Sequence, residues 1–69
     1  MNIRLFKSKM ALNGDNNATV ADFLGITPQT SSAKLHGTRG AEFSQSEISQ
    51  LKERWNLTPE DVVAIFLAN

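Results

Sequence analysis

The stretch ATVADFLGITPQTSSAKLHG, residues 18–37, decides the fold. It spells two short helices around a tight turn. From a start near Ala18 or Thr19, the residues Val20, Ala21, Phe23 and Leu24 give helical apolar spacing. Gly25 ends the helix, because glycine takes the left-handed conformation that closes one. Ile26 follows as an apolar plug. Thr27 then caps a second helix, with Pro28 at its first position, where a missing N–H costs nothing. That helix runs to about His36, and Gly37 is its left-handed cap. A close helix–helix corner needs a small residue where the second helix approaches, and Ala21 fills that place. Gly25 takes the turn four residues later. Val20, Leu24 and Ile26 tie the pair to a core.

Upstream, about Ile3 to Leu12 reads as a helix. Leu5, Phe6, Met10 and Leu12 form its one-sided apolar stripe, and Asn13-Gly14 stops it. Asn13-Gly14-Asp15-Asn16-Asn17 is then a polar loop without an apolar anchor, expected to be the most mobile internal segment. Downstream, Thr38 to Phe43 reads as a loop. Ser44-Gln45-Ser46-Glu47 fits a capping box, in which Ser44 and Glu47 satisfy each other's backbone donors. Ile48, Leu51 and Trp55 then fall at i, i+3 and i+7 on one face, and Trp55 is expected to close the bundle. Thr58-Pro59-Glu60-Asp61 opens a last helix with a cap, a proline and two acids suited to the positive end of its dipole. Val62, Val63, Ile65, Phe66 and Leu67 wrap more than half of that helix. Most of them belong in the core of so small a domain, with one or two, Leu67 among them, left as a partner surface. There is no strand-like alternation and no repeat. The expectation is all-α: a five-helix bundle forming a single domain over residues 1–69.

Length and composition set bounds on function. A chain of 69 residues buries only about 60% of the surface it exposes when unfolded, so its stability is marginal. With no cysteine and one histidine, it offers neither a disulfide nor a metal site. No cofactor is expected. The first ten residues carry Arg4, Lys7 and Lys9 and lack the apolar run of a signal peptide. Nothing approaches the roughly 20 apolar residues of a membrane span, and the expected location is the cytoplasm. The sequons at Asn17 and Asn56 are better explained by helix-end chemistry than by glycosylation. Net charge is zero but unevenly placed. Residues 1–41 hold Arg4, Lys7, Lys9, Lys34 and Arg39 against Asp15 and Asp22, giving +3; residues 42–69 hold Lys52 and Arg54 against Glu42, Glu47, Glu53, Glu60 and Asp61, giving −3.

The chain resembles the Cro/CI-type (XRE-like) family of helix-turn-helix domains. The resemblance rests on Ala21-Asp22-Phe23-Leu24-Gly25-Ile26-Thr27, on Lys34-Leu35-His36-Gly37, and on Phe43-Ser44-Gln45-Ser46-Glu47-Ile48. The last two stretches look most like small regulators of temperate phages of Gram-positive bacteria. The resemblance covers nearly the whole chain. It implies a lambda-repressor-like five-helix bundle, with the helix-turn-helix as its second and third helices, and a role in the lysis–lysogeny switch of a phage inside its bacterial host. Among such regulators it points to an antirepressor that binds the N-terminal, DNA-binding domain of the phage CI repressor. Two positions depart from the family pattern. Ser31 stands where relatives usually bury Ile or Val, so the third helix either packs less tightly or rotates to make Leu35 its anchor. Lys34 stands where many relatives are apolar, which leaves its direction open.

By position, the third helix and the loop after it present Thr27, Gln29, Thr30, Ser32, Ala33, His36 and Arg39 to a partner, which is either a repressor or DNA. Gln29 can pair with adenine through two hydrogen bonds, and Ser and Thr can donate to bases or phosphates. Lys7, Lys9 and Lys34 are candidates for phosphate or acidic-surface contacts. Against direct DNA reading stand a pI near 6.5, where DNA-binding domains typically exceed about 9, and an outward helix face without arginine, the commonest reader of guanine. Pro28 and Ala33 occupy places where relatives often read bases. Protein recognition needs no net charge, and acids such as Glu42 and Glu47 would complement a basic repressor domain. The sequence therefore favours an antirepressor over an autonomous Cro-like repressor. A co-repressor that joins CI on DNA is a third possibility, and DNA contact by this chain is expected to be weak or joint.

No catalytic constellation is visible, and the chain is not expected to be an enzyme. His36 and Ser32 lie one turn apart, but no acid is near to orient the imidazole. Glu60-Asp61 belongs to a helix start. The domain is too small to enclose a substrate pocket.

Overall fold

The computed structural model describes residues 1–68, which form five α-helices, one short 3₁₀ turn and no strand. The helices are α1 (Ile3–Leu12), α2 (Asn17–Leu24), α3 (Pro28–His36), α4 (Gln45–Arg54) and α5 (Pro59–Phe66), with the 3₁₀ turn at Thr38–Gly40. The all-helical expectation is met.

Each helix begins where a side chain relieves its orphan N–H groups. Asn2, Asn16, Thr27, Ser44 and Thr58 all accept from a backbone N–H three residues on. At α4 the Ser44–Glu47 capping box forms as the sequence indicates. Two further boxes, Asn16–Thr19 and Thr58–Asp61, were not read from sequence. The first starts α2 at Asn17, slightly before the expected Ala18 or Thr19. Gly25 and Gly37 close α2 and α3 in the left-handed region, and Asn56 does the same just past α4.

The core is aromatic at its centre. Phe6 of α1 stacks on Phe43 at 5.4 Å between centroids and meets Trp55 edge-on at 5.1 Å and Phe66 edge-on at 6.0 Å. Val20, Ala21, Leu35, Leu51, Leu57 and Ile65 are buried around them. Phe43 and Leu57 come from loops, so the connections also fill the core. At the chain ends, the Asn2 N–H donates to the Ile65 carbonyl at 2.7 Å, pinning the start of α1 to the end of α5.

Several expectations change. Leu12 lies two turns past Leu5 on the same side of α1 but is 77% exposed, because the last turn of α1 overshoots the core; Ile3 packs against the core instead. On α5 only Ile65 is fully buried; Val62 and Phe66 are half-buried, and Val63 and Leu67 are exposed. α3 has not traded one anchor for another. Ser31, 2% exposed, and Leu35 are buried together, as an i, i+4 pair on one face requires.

The segment Asn13–Asn17 lacks an apolar anchor but has a polar one. The Asp15 side chain is only 5% exposed. Its carboxylate accepts from Arg54 Nε at 2.9 Å and Nη2 at 2.8 Å, from the Trp55 indole N–H at 2.7 Å and from the Thr19 hydroxyl at 2.8 Å. The loop expected to be unanchored is thus bolted to the end of α4.

Candidate interaction surface

α2 and α3 meet through the three-residue turn Gly25–Thr27. Three contacts set α3 in place. Ser31 and Leu35 bury its inner face. At its start, the Asn17 side-chain amide donates to the Pro28 carbonyl at 3.0 Å, linking the first turns of α2 and α3. Near its end, Lys34 Nζ donates to both carboxylate oxygens of Glu47 at 2.7 and 2.8 Å, which ties α3 to the first turn of α4.

Glu47 thereby holds two jobs, since the same carboxylate accepts from the Ser44 N–H at 2.9 Å. Burial pushes its pKa up, but the Lys34 and Ser44 bonds outweigh that and leave it below the ordinary glutamate value. This settles the direction of Lys34. Its head group turns inward to Glu47, with the side chain mostly buried. Neither charge is free for a surface partner in this arrangement, although the sequence had put Lys34 and Glu47 among candidate contacts.

The other candidates fall as follows. Thr27, Gln29, Thr30, His36 and Arg39 are exposed, whereas Ser32 and Ala33 are half-buried on the flank of α3. Thr27 Oγ1 accepts from the Thr30 N–H and shares a 2.9 Å hydrogen bond with the Thr30 hydroxyl, so both hydroxyls already have partners within the helix start. Gln29 makes no side-chain hydrogen bond among the described residues and is the most available polar group of the first turn. Lys7 is exposed on α1, away from any ion pair among the described residues. Lys9 leans toward Asp61 of α5 at 3.7 Å.

Charge on this surface is therefore sparse. Among the described residues, Lys9, Lys34 and Arg54 are held in ion pairs with Asp61, Glu47 and Asp15. Arg54 also lies over the half-exposed Phe23 ring at 4.5 Å, a cation–π contact that fixes its guanidinium. Asp22 on α2, Arg39 in the 3₁₀ turn and Glu42 after it are exposed, and none of them enters an ion pair among the described residues.

One feature could not be read from sequence. A groove of about 520 Å³ opens between the end of α3, the following loop and the end of α5. Leu35, Phe43, Ile48 and Phe66 line it with apolar surface, and Lys34, His36 and Glu42 contribute polar atoms. It joins residues more than thirty positions apart, and no local pattern signals it. Among the described residues no group of His, Asp and Glu is placed to hold a metal ion, and no helix is long and apolar enough to cross a membrane. No protein-family model, curated protein or solved structure matches the chain.

Proposed function

We propose that this chain is a phage transcriptional regulator that acts by protein recognition. It binds the N-terminal, DNA-binding domain of a CI-type repressor and keeps that domain from its operator. In this reading α2 and α3 are a helix-turn-helix used as a protein-docking element. Its surface is centred on Gln29, Thr30, His36 and Arg39, with Thr27, Ser32 and Ala33 at the edges.

The observation that carries the reading is where the cations go. Affinity for DNA comes largely from Lys and Arg that neutralise phosphates. Here Lys34 and Lys9, both candidates for that work, are held by Glu47 and Asp61. The exposed charged side chains of α2, α3 and the loop that follows are Asp22, Arg39 and Glu42, one arginine and two acids. A surface of mixed sign and uncharged polar groups suits a protein partner better than a polyanion.

The placement is tested by replacing Gln29, Thr30 and His36 together with alanine and titrating the purified repressor domain by calorimetry. Thr27 and Ser31 are left alone so that α3 keeps its cap and its packing. Loss of most of the binding, with an unchanged helical spectrum, is the expected result. Full binding by the triple variant would remove α3 from the interface.

A further inference from the structure

Six described residues adopt left-handed φ: Gly14, Gly25, Gly37, Gly40, Asn56 and Arg39. Glycine holds four of these positions. Asparagine, whose short side chain tolerates the region, holds a fifth. Arg39, at φ 54° and ψ 33°, is the exception. The glycines at 37 and 40 lie in the same loop, so this segment already uses glycine where its backbone turns left-handed. Two backbone hydrogen bonds close the turn: the Gly40 N–H donates to the Gly37 carbonyl at 3.1 Å and the Ala41 N–H to the Thr38 carbonyl at 3.0 Å. The Arg39 side chain is exposed and makes no ion pair among the described residues. Its backbone is disfavoured by its own side chain, and that side chain gives no ion pair or hydrogen bond in return among the described residues. A residue held against its conformational preference at an exposed loop is a functional candidate.

We propose that the Arg39 guanidinium anchors the interaction surface by taking a carboxylate on the partner protein. The proposal rests on the protein-recognition reading above and names the chemistry that the partner brings. Arginine suits the task because its planar fork meets a carboxylate with two parallel hydrogen bonds. A turn closed by two backbone hydrogen bonds fixes where the side chain leaves the surface, which lowers the entropy lost on binding. Two features favour a carboxylate over a nucleic-acid phosphate. Glu42, exposed three residues further on, repels a polyanion but matches a protein surface carrying both signs. Gly37, Gly40, Ala41 and Glu42 also wall the groove floored by Leu35, Phe43 and Phe66, which offers an apolar side chain a seat beside the ion pair.

The test compares the wild type with Arg39→Gly and Arg39→Lys in thermal unfolding and in titration against the purified N-terminal domain of the CI-type repressor. A parallel titration uses duplex DNA. Arg39→Gly is expected to unfold at a temperature equal to or above that of the wild type and to bind the repressor domain about tenfold or more weakly. Arg39→Lys keeps the charge without the fork and is expected to fall between them. A clear drop in the unfolding temperature of Arg39→Gly would make the side chain structural and overturn the proposal. So would wild-type affinity of Arg39→Gly for the repressor domain, or a loss confined to DNA, which would identify the anion as phosphate. Failure of the wild type itself to bind the repressor domain is read separately and removes the protein-recognition reading together with this one.

Discussion

Asp15 shows how one side chain can replace an apolar anchor. Its carboxylate gathers the Arg54 guanidinium, the Trp55 indole N–H and the Thr19 hydroxyl, and so ties the α1–α2 loop to the end of α4. The Arg54 bonds, opposed by burial and helped by Trp55 and Thr19, hold its pKa well below the usual aspartate range. The Arg54 side of the cluster is open to water and contributes little. The indole N–H beneath is the group that suffers when the acceptor goes. Asp15→Ala should therefore cost about 1–3 kcal/mol at neutral pH, the usual penalty for a buried donor left without a partner. The sign with pH follows from the depressed value. The part of the contribution that depends on the carboxylate's charge is complete above the unfolded pKa of about 3.9 and is lost as pH falls below it toward the folded value, while the protonated carboxyl can still accept from the indole. Unfolding curves between neutral pH and the acid range should show the gap between the wild type and Asp15→Ala narrowing on acidification. Glu47 and Asp61, also held below their ordinary values, leave the variant with part of the same dependence. Parallel curves would mean that the carboxylate is not engaged as described.

At the scale of elements, the turn between α2 and α3 depends on Gly25. A Cβ placed there meets nothing within 4 Å, yet φ is +73°. The cost of Gly25→Ala is then conformational only, about 1 kcal/mol, with Gly25→Asn costing less. Denaturant unfolding should show the midpoint falling while the slope stays constant. A loss several times larger would mean a clash that the open surroundings do not contain. This element was legible in sequence because its signals are local. Ser44 and Glu47, Thr27 and Pro28, and Gly25 and Gly37 each act within a few residues of themselves, and each does in the structure what its spacing implies. Contacts between distant positions left no such trace. Asp15 and Trp55 are forty residues apart, so nothing near Asp15 distinguishes an anchored loop from a free one. Lys34 could be oriented only once Glu47 was known to face it. Arg39 was singled out as a surface cation, but its left-handed backbone, the feature that sets it apart, is a property of conformation rather than residue type.

For the whole molecule, the formal net charge of zero understates how little positive charge the chain can offer to DNA. Three of its seven Lys and Arg residues are held in ion pairs among the described residues. Any DNA affinity should be weak and shallow in salt, since each neutralised phosphate adds only about 0.9 to the logarithmic slope. A Cro-like reader would show the opposite: tight binding to one site and a steep slope. The most direct measurement is a gel-shift titration of the promoter region with this chain alone, with the CI-type repressor alone and with both. Protein recognition predicts no specific shift by the chain alone and progressive loss of the repressor's band as the chain is added. A specific shift by the chain alone, or a repressor band that persists unchanged at saturating amounts, would contradict it.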